Sequence, residues 1–194
     1  MISARGLSRQ FGERHALDGV DLELPAGGFA LVTGPNGSGK TTLLRLVAGL
    51  AAPTGGSLEV DVDRARIGFL GHEPLLYREL TALENLDLYG RLYRVPERRE
   101  RSGMLLERFG LWRVRGERAG SFSRGMLQRL SLCRVLLHGP DLLLLDEPFN
   151  ALDDSGIELL ERELAELRPT RTFLVATHEP ARLEPLASVR LALA

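Results

Sequence analysis

The chain has 194 residues, 44% hydrophobic and 26% charged, with a formal net charge of -1. That length carries one substantial core, or one domain with a small subdomain, and the balanced charge favours neither nucleic acid nor an acidic membrane surface as a partner. Cys133 is the only cysteine, which excludes an internal disulfide and a multi-cysteine metal site and fits a reducing compartment; its expected place is a small, buried apolar position.

The N-terminus, Met1-Ile2-Ser3-Ala4-Arg5, lacks the apolar core of a secretory signal, and no apolar stretch approaches the ~20 residues that span a bilayer. Any role at a membrane is therefore expected to come through a partner. Residues 1–30 read as short extended segments. Ile2 to Leu7 is the first, Gly12 marks a turn, and Leu17 to Leu24 alternates Val20, Leu22 and Leu24 with Asp21 and Glu23, the pattern of a half-buried strand. Phe11, just before the turn, reads first as a core aromatic, although a flat ring there could also stack on adenine.

The apolar run Phe29 to Thr33 leads into Gly34-Pro35-Asn36-Gly37-Ser38-Gly39-Lys40-Thr41-Thr42, and Leu43-Leu44-Arg45-Leu46-Val47 follows as a helix. This is G-x-x-x-x-G-K-[ST], the phosphate loop, in the strand, loop and helix setting it requires. Its glycines let successive amides turn inward onto phosphate oxygens, and the helix adds its positive end. Lys40 is placed to pair with the outer phosphates, and the Thr41 hydroxyl suits a Mg²⁺ that bridges them.

Pro53-Thr54-Gly55-Gly56 breaks the chain, after which Leu58-Val60-Val62 and Ile67 to Leu70 read as strands. Beyond His72-Glu73-Pro74 the character changes: Leu80 to Tyr93 and Met104 to Trp112 carry apolar residues at helical spacing. Between them Pro96 to Arg101 is a charged helix start or loop, a solvated face with acids mixed in. Ser123 begins a helix running to about His138, stopped by Gly139-Pro140. Leu142 to Leu145 is a fully buried parallel strand that ends in two carboxylates, Asp146 and Glu147. Asp154 to Leu167 is an amphipathic helix, with Ser155 and Glu158 spaced as a capping box. Thr172 to Ala176 is another buried strand, with Thr177-His178-Glu179 at its end.

Ligands of doubly wound sheets bind at the C-terminal ends of the strands, so Gly34, Asp146, Glu147 and His178 are expected to share one crevice. Asp146 would hold Mg²⁺ through its hydration shell, opposite Thr41, and Glu147 would polarise the attacking water. His178 would contact the terminal phosphate or orient that water. Ser123 would cap a helix whose free amides form a second anion site. Within one chain that site has nothing to bind; it is explained if it meets nucleotide held by another copy.

Taken together these stretches resemble the ATP-binding cassette (ABC) ATPases over nearly the whole chain. Gly34–Thr41 resembles Walker A, Leu142–Asp146 resembles Walker B, and Glu147 matches the catalytic glutamate. Phe122-Ser123-Arg124-Gly125-Met126 is similar to the signature motif, Asn150-Ala151-Leu152-Asp153 to the D-loop, and His178 to the switch histidine. Phe11 matches the adenine-stacking aromatic and His72 stands at the Q-loop glutamine position. Arg124 departs from the usual signature glycine, while Gly125 still supplies a small residue.

The resemblance implies an α/β fold: a RecA-like P-loop NTPase core with an N-terminal antiparallel β-subdomain (1–75 and 139–194) and an inserted helical subdomain (about 76–138). It implies ATP and Mg²⁺ as ligands, contacted by Phe11, the whole of Gly34 to Thr42, His72, Ser123, Gly125 and Asp153. It also implies a head-to-tail dimer, expected to be a homodimer, at the cytoplasmic face of the cell membrane. An integral membrane permease would dock on the segment Leu75 to Tyr93, and no nucleic acid is expected. Leu70-Gly71-His72-Glu73-Pro74 with Leu80 to Leu86 resembles the haem-exporter ATPases of cytochrome c maturation. The alternative is another exporter, for multidrug, lipid or polysaccharide cargo. Soluble ABC ATPases usually carry two cassettes or an inserted coiled coil, absent from this chain. A P-loop kinase would leave Asp146-Glu147 and the Ser123 helix without a role.

Overall fold

The computed structural model describes residues 1–194. Its centre is a five-stranded parallel sheet in the order β5-β6-β7-β3-β8, formed by β3 (Phe29–Thr33), β5 (Ile67–Leu70), β6 (Leu142–Asp146), β7 (Thr172–Ala176) and β8 (Val189–Ala192). The three inner strands are apolar on both faces because both are covered. Phe29, Leu31, Leu143, Leu145, Phe173 and Val175 point to one side, into a core shared with the helices α2 (Ala82–Leu92), α3 (Arg98–Arg108), α4 (Arg124–Leu136) and α5 (Asp154–Leu167). Their neighbours in sequence, Ala30, Val32, Leu142, Leu144, Leu174 and Ala176, point to the other side. There they meet α1 (Lys40–Val47) and a three-stranded antiparallel sheet, β2-β1-β4, made of β1 (Ile2–Phe11), β2 (Arg14–Leu24) and β4 (Gly55–Val60).

All the named elements but the edge strand β8 are those the residue pattern predicts, with shifted ends. β1 does not stop near Leu7 but runs to Phe11, because it is the middle strand of its sheet and pairs with both β2 and β4. The turn at Gly12 joins Phe11 directly to its cross-strand partner Arg14. α3 begins at Arg98, inside the charged run, and ends at Arg108; Trp112 falls in a short 3-10 turn beyond it. The α5 cap also differs. Asp153, not Ser155, accepts the Gly156 amide at 3.0 Å, so the reading of Ser155 and Glu158 as a capping box is corrected. Ser123 caps α4 as expected, accepting from the Met126 amide at 3.2 Å.

The helices are tied to one another by polar as well as apolar contacts. Arg108 of α3 forms ion pairs with Glu163 and Glu166 of α5, and burial raises the Glu163 carboxyl above its ordinary range. Cys133 is fully buried in α4, and that burial pushes its thiol up, which makes it an apolar packing residue. No helix is long and apolar enough to cross a membrane.

Candidate active site

β3 and α1 are joined by six residues, Gly34 to Gly39, whose backbone path admits little else at its two ends. Gly34 has φ 148°, and a Cβ there would lie 2.4 Å from the Leu193 carbonyl oxygen. Gly39 has φ 96°, and a Cβ would lie 2.2 Å from the Ala16 carbonyl oxygen. Both contacts are with main chain, which cannot swing aside, so the loop's bend depends on glycine at each. The loop also leaves a polar atom unspent: Ser38 Oγ is buried without a hydrogen-bond partner. An open cradle with an orphaned hydroxyl fits a bound phosphate group.

A cleft of about 610 Å³ opens over this loop, lined by residues from four places in the chain. The loop and α1 contribute Asn36, Gly37, Gly39, Lys40, Thr41 and Thr42; the β1–β2 hairpin contributes Phe11, Arg14 and Ala16; the ends of β5 and β6 contribute His72, Asp146 and Glu147. Leu70 pairs with Leu145 in parallel register, so the two strands deliver their next residues to the same edge. Thr41 Oγ1 donates to Asp146 Oδ2 at 2.7 Å. A hydroxyl and a carboxylate oxygen in contact form a hard-oxygen pair of the type Mg²⁺ takes alongside phosphates. Lys40 is buried along its stem, and its Nζ donates to the carbonyls of Gly34 at 2.7 Å and Pro35 at 3.1 Å.

Glu147 follows the leucine strand directly, with its backbone turned into the left-handed region, φ 49°. Its amide donates to the Ala176 carbonyl at 2.8 Å, and its Oε2 accepts from the His178 amide at 3.2 Å. His178 Nδ1 lies 2.8 Å from the same oxygen. The histidine therefore faces the carboxylate and does not line the cleft. Phe11 is exposed, which sets aside its first reading as a core aromatic, and the Arg9 guanidinium lies 4.5 Å from its ring centroid.

Ser123, Gly125 and Asp153 are not brought to this cleft. A Cβ at Gly125 would come within 2.8 Å of the Ala151 carbonyl, so the start of α4 packs closely on the 150–153 turn. Asp153 caps α5, and the Gly156 amide holds its carboxyl below the ordinary range. Arg14 and Ala16 line the cleft without having been singled out. Their signal was the spacing from Phe11, hidden by a first strand read as ending at Leu7.

The ABC transporter family profile matches residues 17–150, more than half of the chain. The chain belongs to the ABC transporter family. An uncharacterized ABC transporter ATP-binding protein of Bacillus subtilis, YxlF, is 38% identical over 92% of this chain and 62% of its own length. The daunorubicin resistance ATP-binding protein DrrA3 of Streptomyces coeruleorubidus is 40% identical over 80% of this chain and 52% of its own. The chain thus spans between half and two thirds of these two relatives. Among solved structures, a dimeric ATP-binding cassette in a post-hydrolysis state bound to ADP and Pi superposes with a TM-score of 0.88 at 30% identity, covering 100% of this chain and 94% of that one. The fold is that of an ABC ATPase cassette, an α/β RecA-like core carrying an antiparallel sheet.

Proposed function

We propose that this cassette binds and hydrolyses ATP and powers a membrane transporter of the exporter type. The observation that carries the reading is the junction of Lys40, the Thr41–Asp146 pair and Glu147 in one cleft over the phosphate loop. Lys40 would release the Gly34 and Pro35 carbonyls for the outer phosphates, while the loop amides and Ser38 Oγ take the remaining oxygens. Mg²⁺ held by Thr41 and Asp146 would neutralise charge on the leaving phosphates. Glu147 would orient and polarise water, and His178 would fix the carboxylate's direction. Phe11 would stack on the adenine and His72 would contact the nucleotide–metal unit. Ser123, Gly125 and Asp153 would act across a head-to-tail dimer on nucleotide held by the second copy.

The helical segment about 76–138 would form the coupling subdomain. Leu75, Tyr77, Leu83, Leu92 and Tyr93 leave apolar surface exposed from Leu75 to Tyr93, at the start of this segment, which supports docking of a permease there. Peripheral attachment at the cytoplasmic face is part of the same proposal. As to cargo, the daunorubicin-resistance relative favours a drug-exporter type over the haem exporter that Leu70–Pro74 and Leu80–Leu86 resemble. The test is a pull-down from native membranes with Glu147→Gln, in which trapped ATP holds the complex together. Recovery of a permease tied to drugs or lipids supports the reading. Cytochrome c assembly factors would restore haem export, and ribosomal or DNA-bound partners would reject the transporter role.

A further inference from the structure

The β1–β2 hairpin delivers more than an aromatic ring to the cleft. Phe11 and Arg14 are cross-strand partners on either side of the two-residue turn. Directly paired residues of an antiparallel ladder project from the same face, and both side chains line the cleft. The Arg14 Nη2 lies 3.5 Å from the position a Cβ of Gly37 would take, so the guanidinium hangs over the middle of the phosphate loop. Arg9 on the same hairpin donates to the Ala52 carbonyl and lies over Phe11. Arg14 has no such tie: no side-chain hydrogen bond or ion pair joins it to the protein, although Glu13 is its neighbour in the turn.

The charge of the cleft gives that free fork a purpose. Asp146 and Glu147 oppose Lys40, and Lys40 lies at the Gly34–Pro35 side of the loop. A polyphosphate entering the cleft meets two carboxylates and, of the lysine and arginine side chains, only Lys40 besides Arg14. We infer that Arg14 is a nucleotide-binding residue, a second cation that grips the polyphosphate from the hairpin side while Lys40 grips it from the loop. A planar guanidinium suits phosphate oxygens because it offers paired donors. Since Phe11 sits on the same hairpin, bound nucleotide would draw the antiparallel sheet onto the core at two points, base and phosphate. The inference rests on the nucleotide reading of the cleft.

The test is titration of the wild type, Arg14→Ala, Arg14→Lys and Lys40→Ala with the fluorescent nucleotide MANT-ATP across a range of KCl concentrations, with adenosine as a competitor. A charge-assisted contact of this exposure predicts about tenfold weaker MANT-ATP binding by Arg14→Ala, a shallower salt dependence, and partial recovery in Arg14→Lys. Adenosine competition should be the same in the wild type and Arg14→Ala, which a general distortion of the hairpin would not allow. Wild-type affinity and salt slope in Arg14→Ala, with binding lost in Lys40→Ala, would overturn the inference and leave the nucleotide reading intact. Equal weakening of adenosine and MANT-ATP would also overturn it. A wild type that binds no MANT-ATP removes the nucleotide reading, and this inference with it.

Discussion

Glu147 holds a left-handed backbone, φ 49°, that costs a residue with a Cβ roughly 1 kcal/mol. The Ala176 carbonyl and His178 hold it there, the first through the Glu147 amide and the second through the carboxylate. His178→Ala removes the imidazole contact and leaves only the main-chain amide on the carboxylate, so phosphate release should fall roughly tenfold or more while nucleotide affinity stays unchanged. Equal loss of both in fluorescence binding and phosphate assays would make His178 a binding residue. A second histidine reports on stability. His138 stacks on Tyr93 with ring centroids 4.2 Å apart, and its Nε2 lies 3.2 Å from the Ile67 carbonyl oxygen. Burial, helped by the nearby charges of Arg134, Arg66 and Arg101 and opposed by Ile67, lowers it from 6.5 to about 4. In that window the unfolded chain binds a proton the folded chain refuses, so stability falls as pH drops from about 6.5 to about 4 and levels off below. His138→Gln should flatten that part of the melting-temperature profile. Parallel profiles for the two proteins would contradict the assignment.

The elements differ in how openly the residues announce them. Four consecutive leucines between Pro140 and Asp146 admit a buried strand and little else, and the glycine pattern of 34–39 identifies the loop without any tertiary information. The start of α3 could not be read that way. Arg98 and Arg101 look like a solvated run, yet Arg98 Nε donates to Asp87 Oδ1 at 2.7 Å and Arg101 reaches the Leu136 carbonyl. Those partners lie in other elements and leave no periodic trace. Capping shows the same limit, because Asp153 and Ser155 are both good caps by type and only the backbone's entry angle decides between them. Asp153→Ala should therefore lower the melting temperature visibly, and Ser155→Ala should leave it almost unchanged. A larger loss in Ser155→Ala would reverse the assignment.

At the scale of the whole molecule, two sets of groups read together in the sequence stand apart in the single chain. The cleft gathers Phe11, the loop, His72, Asp146 and Glu147, whereas Ser123, Gly125 and Asp153 cluster at the start of α4 and the 150–153 turn. The sequence already suggests a second copy, because a capped helix start with no ligand in its own chain is explained by nucleotide held on another, and the separation seen in the single chain agrees with that expectation. Ser123→Ala should remove a helix cap worth about 1 kcal/mol from the isolated protomer and, in addition, weaken ATP-dependent dimerisation of a Glu147→Gln background. Size-exclusion chromatography with and without ATP reads the second effect, and an unaltered dimer fraction would confine Ser123 to capping. The measurement that bears most directly on the account is single-turnover phosphate release by the wild type and Glu147→Gln, with MANT-ATP binding followed in parallel. The account predicts equal nucleotide affinity and a release rate at least about a hundredfold lower in the variant. Release at the wild-type rate by Glu147→Gln would contradict it.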